Sequence, residues 1–184
     1  MTLSIKGLPA LLLAILFAGC GGDSETPAGP AFDPAALNAC ELFTVRDALS
    51  FAGGPVSAMR STLDDASVSP NPLVCSFNAG SRAQPRLFGL EIRPAASPSA
   101  AAQRLESGRA FLKRLSGGEI KEVPGVGDKA IFAGGELHQL HVLRGNLVLV
   151  ISAKTDNPPK SLYTAKLIAQ RVLERLEGGT DSSP

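Results

Sequence analysis

The sequence predicts an α+β fold, with an antiparallel sheet of about five strands and two or three helices packed against it. Three observations predict this class. Several short segments alternate apolar and polar residues, two of them flank a tight turn, and amphipathic helical segments lie between and after them. Because strands joined by hairpins pair antiparallel, we expect the elements in the order α-β-β-α-β-β-β-α.

The first half of this order begins with a helix that opens on a capping box. Thr44 is followed three residues later by Asp47, and the helix is expected to end at Gly53. The next residues are polar and rich in proline, which is typical of a loop. Alternating apolar residues then predict two strands, within 73–78 and 87–93, each with one buried face.

The second half begins with a helix that Ser97 caps, that has proline at its first position and that ends at Gly117. A strand is predicted within 128–133. A Gly-Asn pair divides 137–153 into two apolar segments, which predicts a hairpin. The second of these segments is apolar on both faces, so we expect it in the centre of the sheet. An amphipathic helix over 157–176 completes the order.

The N-terminal segment has the features of a secretory signal peptide. Lys6 supplies a positive charge, and an apolar run of about eleven residues extends from Leu8 to Ala18. A helix that crosses a membrane needs roughly 20 apolar residues, so this run is too short to be a membrane span. We therefore interpret residues 1–19 as a signal peptide.

The end of the apolar run indicates lipid attachment. The segment from Phe17 through Ala18 and Gly19 to Cys20 resembles the bacterial lipobox, although Phe17 stands where leucine is usual. The resemblance implies cleavage before Cys20 and acyl chains on its thiol and amine, and two or more chains anchor a protein stably. The alternative is an ordinary cleaved signal peptide that leaves Cys20 free. Gly21, in place of the aspartate that retains lipoproteins in the inner membrane, favours the outer membrane in a Gram-negative organism.

Composition divides the remaining chain into three parts. Residues 20–34 are rich in Gly and Pro, which predicts a flexible tether, residues 35–177 form the α+β domain, and 178–184 are expected to be a disordered tail. The chain has 18 basic and 17 acidic residues, and removal of the leader with Lys6 leaves 17 of each. A neutral chain with interspersed charges argues against nucleic-acid binding, which requires a basic surface.

Two further cysteines remain after Cys20. In an exported domain, the pair Cys40 and Cys75 favours a disulfide. The alternative is a metal site that combines both thiols with His138 and His141. The gaps between these four residues lack the clustered spacing of structural zinc sites, so we expect no metal and no cofactor.

Three short motifs resemble a known group of proteins. They are Cys-Glu-Leu-Phe-Thr from Cys40, Cys-Ser-Phe from Cys75, and Gly-Asp-Lys-Ala-Ile-Phe from Gly127. In this order they resemble small bacterial lipoproteins, common in actinobacteria, that contain a domain of unknown function. Phe43 stands where that group usually has leucine. The resemblance implies an exported, disulfide-tied α+β domain on a lipid anchor, and it implies no reaction.

For the remaining residues that could take part in catalysis or ligand binding, we expect structural roles. His138 and His141 form an H-x-x-H within a predicted strand, where they point to opposite faces, and we expect them on the surface of the hairpin. The glycine pattern over 125–130 precedes a strand instead of following one, so it predicts a turn and not a dinucleotide site. Asp64 and Asp65 lie in a polar segment and are expected to be solvated.

Together these features predict a non-catalytic, lipid-anchored protein of the cell envelope. Its expected partners are the membrane, through the lipid on Cys20, and an envelope protein or a small envelope ligand. Two alternatives remain. One is an envelope hydrolase with a histidine-based site, and the other is a purely structural or inhibitory module.

Overall fold

The computed structural model describes residues 30–59, 73–81, 84–155 and 157–178. Within these residues seven strands form one antiparallel sheet. The strands are β1 Val56–Met59, β2 Val74–Ser81, β3 Gln84–Pro94, β4 Ile120–Glu122, β5 Lys129–Ala133, β6 Gln139–Arg144 and β7 Leu147–Lys154. The helices are α1 Ala39–Leu42, α2 Val45–Ala52, α3 Pro98–Leu115 and α4 Pro158–Leu176. A 3-10 turn, Pro34–Ala36, precedes them.

The predicted class, an α+β fold with an antiparallel sheet, is confirmed. The expected detail of about five strands, two or three helices and the order α-β-β-α-β-β-β-α is wrong, because the described residues add α1, β1 and β4. These elements have four, four and three residues, too few for a period to appear in the sequence. β1 and β4 are also the two edges of the sheet. An edge strand pairs with only one neighbour, and these two lack a strong apolar pattern.

Strand β7 is central, as its sequence predicts, and lies between β3 and β6 in the order β1-β2-β3-β7-β6-β5-β4. Helices cover both of its faces. Leu149 and Ile151 belong to the core beneath α1, α2 and α4, whereas Val148 and Val150 belong to a second core beneath α3. Burial on two faces explains why this strand is apolar throughout.

The predicted helix ends are confirmed. Thr44 and Asp47 form the capping box of α2, and Gly53 ends that helix with φ +63°. The hydroxyl of Ser97 accepts a hydrogen bond from the backbone at the start of α3. Asn157 caps α4 in the same way. None of the described helices is long and apolar enough to cross a membrane.

A disulfide joins Cys40 of α1 to Cys75 of β2, and the predicted pairing is confirmed. The two Cα atoms lie 5.0 Å apart. Next to the disulfide, the rings of Phe43 and Phe77 meet edge to face with centroids 5.7 Å apart. The disulfide therefore fastens the first helix to the main core, at the position where the aromatic residues of both cysteine motifs pack together.

A buried ion pair connects α2 with α4. Asp47 is 3% exposed, and its carboxylate accepts hydrogen bonds from Arg171 at 3.0 Å and from Arg175 at 2.5 Å. Arg175 also donates to the carbonyl of Leu42 at 2.8 Å. Burial raises the pKa of Asp47, but hydrogen bonds from Arg175 and Thr44 outweigh it and hold this pKa at about 2. One carboxylate thus fixes the first two helices against the last.

Several hydrogen bonds from distant parts of the chain meet at the turn between β6 and β7. Gly145 has φ +55° at the first turn position, as a type II′ turn requires, and its N–H donates to Asp128 at 2.7 Å. The side chain of Asn146 accepts from the N–H of Phe32 at 2.7 Å and donates to the carbonyl of Phe32 at 3.0 Å. The chain preceding the first helix is therefore held at this turn. The glycine pattern over 125–130 forms a turn that leads into β5 at Lys129, as predicted.

Candidate functional site

A groove of about 300 Å³ lies between α3 and the sheet face that α3 covers. We call it the α3 groove. Its helix side consists of six residues of α3: Arg104, Leu105, Gly108, Phe111, Leu112 and Leu115. Its other side consists of four sheet residues and one residue of the β5–β6 connection: Arg93, Gln139, His141, Val148 and Leu137. The groove is predominantly apolar with a few polar groups, which is the usual composition of a small-ligand site.

The two ends of the α3 groove differ in polarity. Arg93 of β3 and Arg104 of α3 lie at one end, where Arg104 donates a hydrogen bond to the carbonyl of Pro94 at 2.7 Å. Phe111 and Leu115 continue along the helix towards the other end, and their side chains are 54% and 46% exposed. Exposed large apolar side chains beside a cavity are typical of binding sites.

His141 lies between these ends, on β6 opposite Val150. It is 3% exposed, and its Nε2 atom has no hydrogen-bond partner among the described residues. Burial lowers the pKa of His141 to about 4, with a further contribution from Arg93 that Glu91 partly opposes. The imidazole is therefore neutral at physiological pH. A buried polar atom without a partner costs about 1–3 kcal/mol, so this position is not optimised for stability.

The expectation that both histidines lie on the surface of the hairpin is wrong. His141 is buried because α3 covers its face of the sheet, which the pattern within the hairpin does not reveal. His138 is 7% exposed and has φ +49° just before β6, and burial followed by Lys154 lowers its pKa. His138 is not among the residues that line the α3 groove. The structure thus brings one of the two histidines into the candidate site.

The alternative metal site is not formed. Cys40 and Cys75, which it required, are joined in the disulfide. Across the described part of the chain, no three His, Cys, Asp or Glu side chains lie close enough together to hold a metal ion. Cys20, Asp64 and Asp65 lie outside the described residues.

Gly108 is the feature of the groove that sequence reasoning missed. It interrupts the middle of an 18-residue helix, yet a Cβ atom built there would meet nothing within 4 Å, and its φ is not positive. Neither packing nor backbone conformation therefore requires glycine. The missing side chain keeps the α3 groove open, at a cost in helix propensity of about 1 kcal/mol. The sequence signal that could have revealed this position is an isolated glycine within a helical pattern.

Replacing Gly108 with alanine should raise the free energy of unfolding by about 1 kcal/mol. The methyl group restores helix propensity and meets no neighbour. Urea unfolding monitored by circular dichroism measures this difference. Stability equal to or below that of the native protein would contradict the conclusion that neither packing nor backbone conformation requires glycine at residue 108.

The pKa of His141 predicts a dependence of stability on pH. Because the folded-state pKa is about 4 and the ordinary value is 6.5, the unfolded chain binds the proton first. The free energy of unfolding should have its full value above pH 6.5 and should fall by about 3 kcal/mol as the pH drops towards 4. Urea unfolding across this interval tests it. The variant His141→Leu should flatten the profile, whereas His138→Leu should retain the larger part of the slope.

Two other hollows have fewer features that favour binding of a ligand. One, of about 440 Å³, lies at the β1–β2 edge and is lined by small or uncharged residues such as Pro55, Asn78 and Gly80. The other, of about 320 Å³, surrounds the turn over 122–130. Although the first is larger, none of the described residues that line either hollow has a buried polar atom without a partner, so the α3 groove is the stronger candidate.

Comparison with known proteins gave no match. No family model matches the chain, and no curated protein or solved structure is significantly similar to it. The resemblance to bacterial lipoproteins therefore stays a prediction that rests on the three short motifs beginning at Cys40, Cys75 and Gly127.

Proposed function

We propose that this protein is a lipid-anchored protein of the cell envelope that catalyses no reaction and binds a small envelope ligand in the α3 groove. Its mature chain begins at the acylated Cys20 and is anchored on the outer side of the cytoplasmic membrane, or at the outer membrane of a Gram-negative cell. The residues from Phe17 to Cys20 support the anchor. Through the predicted tether before Phe32, where hydrogen bonds to Asn146 hold the chain, the domain stays close to the membrane while it binds.

The observation that carries the binding role is the unpartnered Nε2 atom of His141 in a groove with exposed apolar walls. A ligand with a polar group at this atom would remove the energetic cost of leaving it unpaired. Burial of Phe111 and Leu115 against the same ligand would add about 25 cal/mol for each Å² of apolar surface removed from water. Both contributions favour occupation of the groove.

The lining of the α3 groove favours binding over hydrolysis. A hydrolase with a histidine base needs a serine, threonine or cysteine nucleophile, or an acid, within reach of the imidazole. None of the eleven lining residues of the α3 groove is of these types, and Glu91, which acts on the pKa of His141, is paired with Arg93. The low pKa of His141, about 4, also makes its imidazole a weak base near neutral pH.

Mass spectrometry of the membrane fraction tests the anchor. The N-terminal peptide of the mature protein should begin at Cys20 and carry the mass of acyl chains, and the variant Cys20→Ser should lose both the mass and the membrane association. An unmodified peptide that begins at another residue would contradict the anchor and the location.

The fluorescent probe anilinonaphthalenesulfonate tests the groove without assuming the natural ligand. The native protein should bind the probe, and Gly108→Phe should remove most of this binding because the ring fills the open space beside residue 108. Ala110→Phe places the same ring on an exposed part of α3 that does not line the groove, and it should bind like the native protein. Equal binding by both variants would show that the α3 groove is not the site.

A further inference from the structure

The cationic end of the α3 groove has capacity for an anionic group. The Nε and Nη2 atoms of Arg93 donate to Glu91 at 2.6 and 2.9 Å, and one Nη1 donor of Arg104 goes to the carbonyl of Pro94. A guanidinium has five N–H donors, so both arginines retain donors beyond these bonds. Two guanidinium groups beside one carboxylate leave this end positively charged. Carboxylates are among the anions that guanidinium groups bind through charge-assisted hydrogen bonds.

The other end has the chemistry and length for a hydrocarbon chain. Arg104 and Leu115 are eleven residues apart on α3, which corresponds to about 16 Å at a rise of 1.5 Å per residue. Phe111 lies between them, and Leu137 joins Leu115 at the far end. A molecule that lies along the groove therefore meets charge first and apolar side chains afterwards.

His141 adds a polar contact partway along this path. Arg93 lies opposite Val148 on β7, and His141 lies opposite Val150, so the histidine is one same-face position farther along the sheet and, with β7 between them, two strands away from β3. Successive same-face residues of a strand are about 6.6 Å apart. The guanidinium of Arg93 reaches back to Glu91, which like His141 lies opposite Val150, so a ligand whose head is at the arginines has the first part of its chain near this histidine. A polar group there would pair with Nε2 of His141.

We infer that the α3 groove binds a single-chain amphiphile with a carboxylate head, a hydroxyl group near the head and a hydrocarbon tail. The carboxylate binds Arg93 and Arg104, the hydroxyl pairs with Nε2 of His141, and the tail packs against Phe111 and Leu115. A volume of about 300 Å³ is at the lower limit for a small-ligand site, which favours one chain over a two-chain lipid. This inference rests on the proposed binding role of the groove.

Calorimetry with two matched probes tests the inference. The full chain with Cys20→Ser, exported so that the disulfide forms, is titrated with decanoate and with β-hydroxydecanoate below their micellar concentrations. The hydroxylated acid should bind about tenfold more tightly, since one satisfied hydrogen bond contributes about this factor. In His141→Leu the two acids should bind with nearly equal affinity, which a merely structural role of the histidine would not produce. Gly108→Phe should abolish binding of both, and Ala110→Phe should not.

The outcomes separate this inference from the proposed function. Equal affinity of the two acids in the native chain, or a preference that survives His141→Leu, would overturn it. If anilinonaphthalenesulfonate binds in the α3 groove and neither acid does, the binding role stands and the inferred ligand is wrong. Binding to phosphatidylglycerol vesicles that Gly108→Phe abolishes, without binding of the free acids, would overturn the single-chain source in favour of a membrane lipid.

Discussion

Replacing Asp47 with asparagine should lower the free energy of unfolding by about 3 kcal/mol, because it removes the buried negative charge that pairs with the largely buried guanidinium of Arg175. Arg171 is 45% exposed and should contribute less, since water solvates it when the carboxylate is lost. Urea unfolding of the two chains measures the difference. Glu106→Gln is a suitable control, because Glu106 is 47% exposed and its ion pairs should contribute less than about 1 kcal/mol.

The same carboxylate predicts a second acid transition in stability. The pKa of Asp47 is about 2 in the folded protein and 3.8 ordinarily, so its contribution is complete above pH 3.8 and is lost as the pH falls towards 2. This interval lies below that of His141. Unfolding measurements from pH 4 to 2 should therefore show a larger loss in the native chain than in Asp47→Asn. Parallel profiles of the two chains would contradict the ion pair.

Loss of the disulfide should have an effect of similar size. Cys40 and Cys75 are 35 residues apart, and closing a loop of this length stabilises a protein by about 4 kcal/mol in the chain-entropy model. The total free energy of unfolding of a domain is about 5–15 kcal/mol, so the reduced protein should unfold at a much lower denaturant concentration. Urea unfolding with and without a reductant, and of the double variant Cys40→Ser with Cys75→Ser, measures this effect.

Cys20→Ser provides the matched control for the disulfide. The disulfide does not involve Cys20, which is predicted to carry lipid. Its replacement should therefore leave the urea midpoint of unfolding of the lipid-free protein unchanged. Unfolding that is insensitive to reductant would contradict the stabilising role of the Cys40–Cys75 bond.

The sequence was a good guide to features that short-range chemistry determines. The cap of Ser97 and the turn at Gly145 each depend on a few adjacent residues, so their residue types carry the information. The same holds for the central position of β7, whose apolar residues occupy both faces. Cys40 and Cys75 were predictable for a different reason, because two thiols in an exported domain have few alternatives.

The candidate site was poorly predictable, because tertiary packing forms it. His141 resembles an ordinary hairpin residue until α3 is placed over its strand. Gly108 lies in a helix whose apolar pattern does not show which side borders an open groove. β1 and β4 were missed because edge strands of four and three residues carry almost no periodic signal.

The contact between Asn146 and Phe32 determines where the N-terminal segment joins the fold. These two hydrogen bonds lie at the end of the sheet where Leu147 pairs with Pro94, next to Arg93. Tension on the N-terminal segment is therefore transmitted into the fold at this end and not at the first helix. If Cys20 carries a lipid, the anchor is thus connected to the fold at the end of the sheet that bears the cationic mouth of the α3 groove.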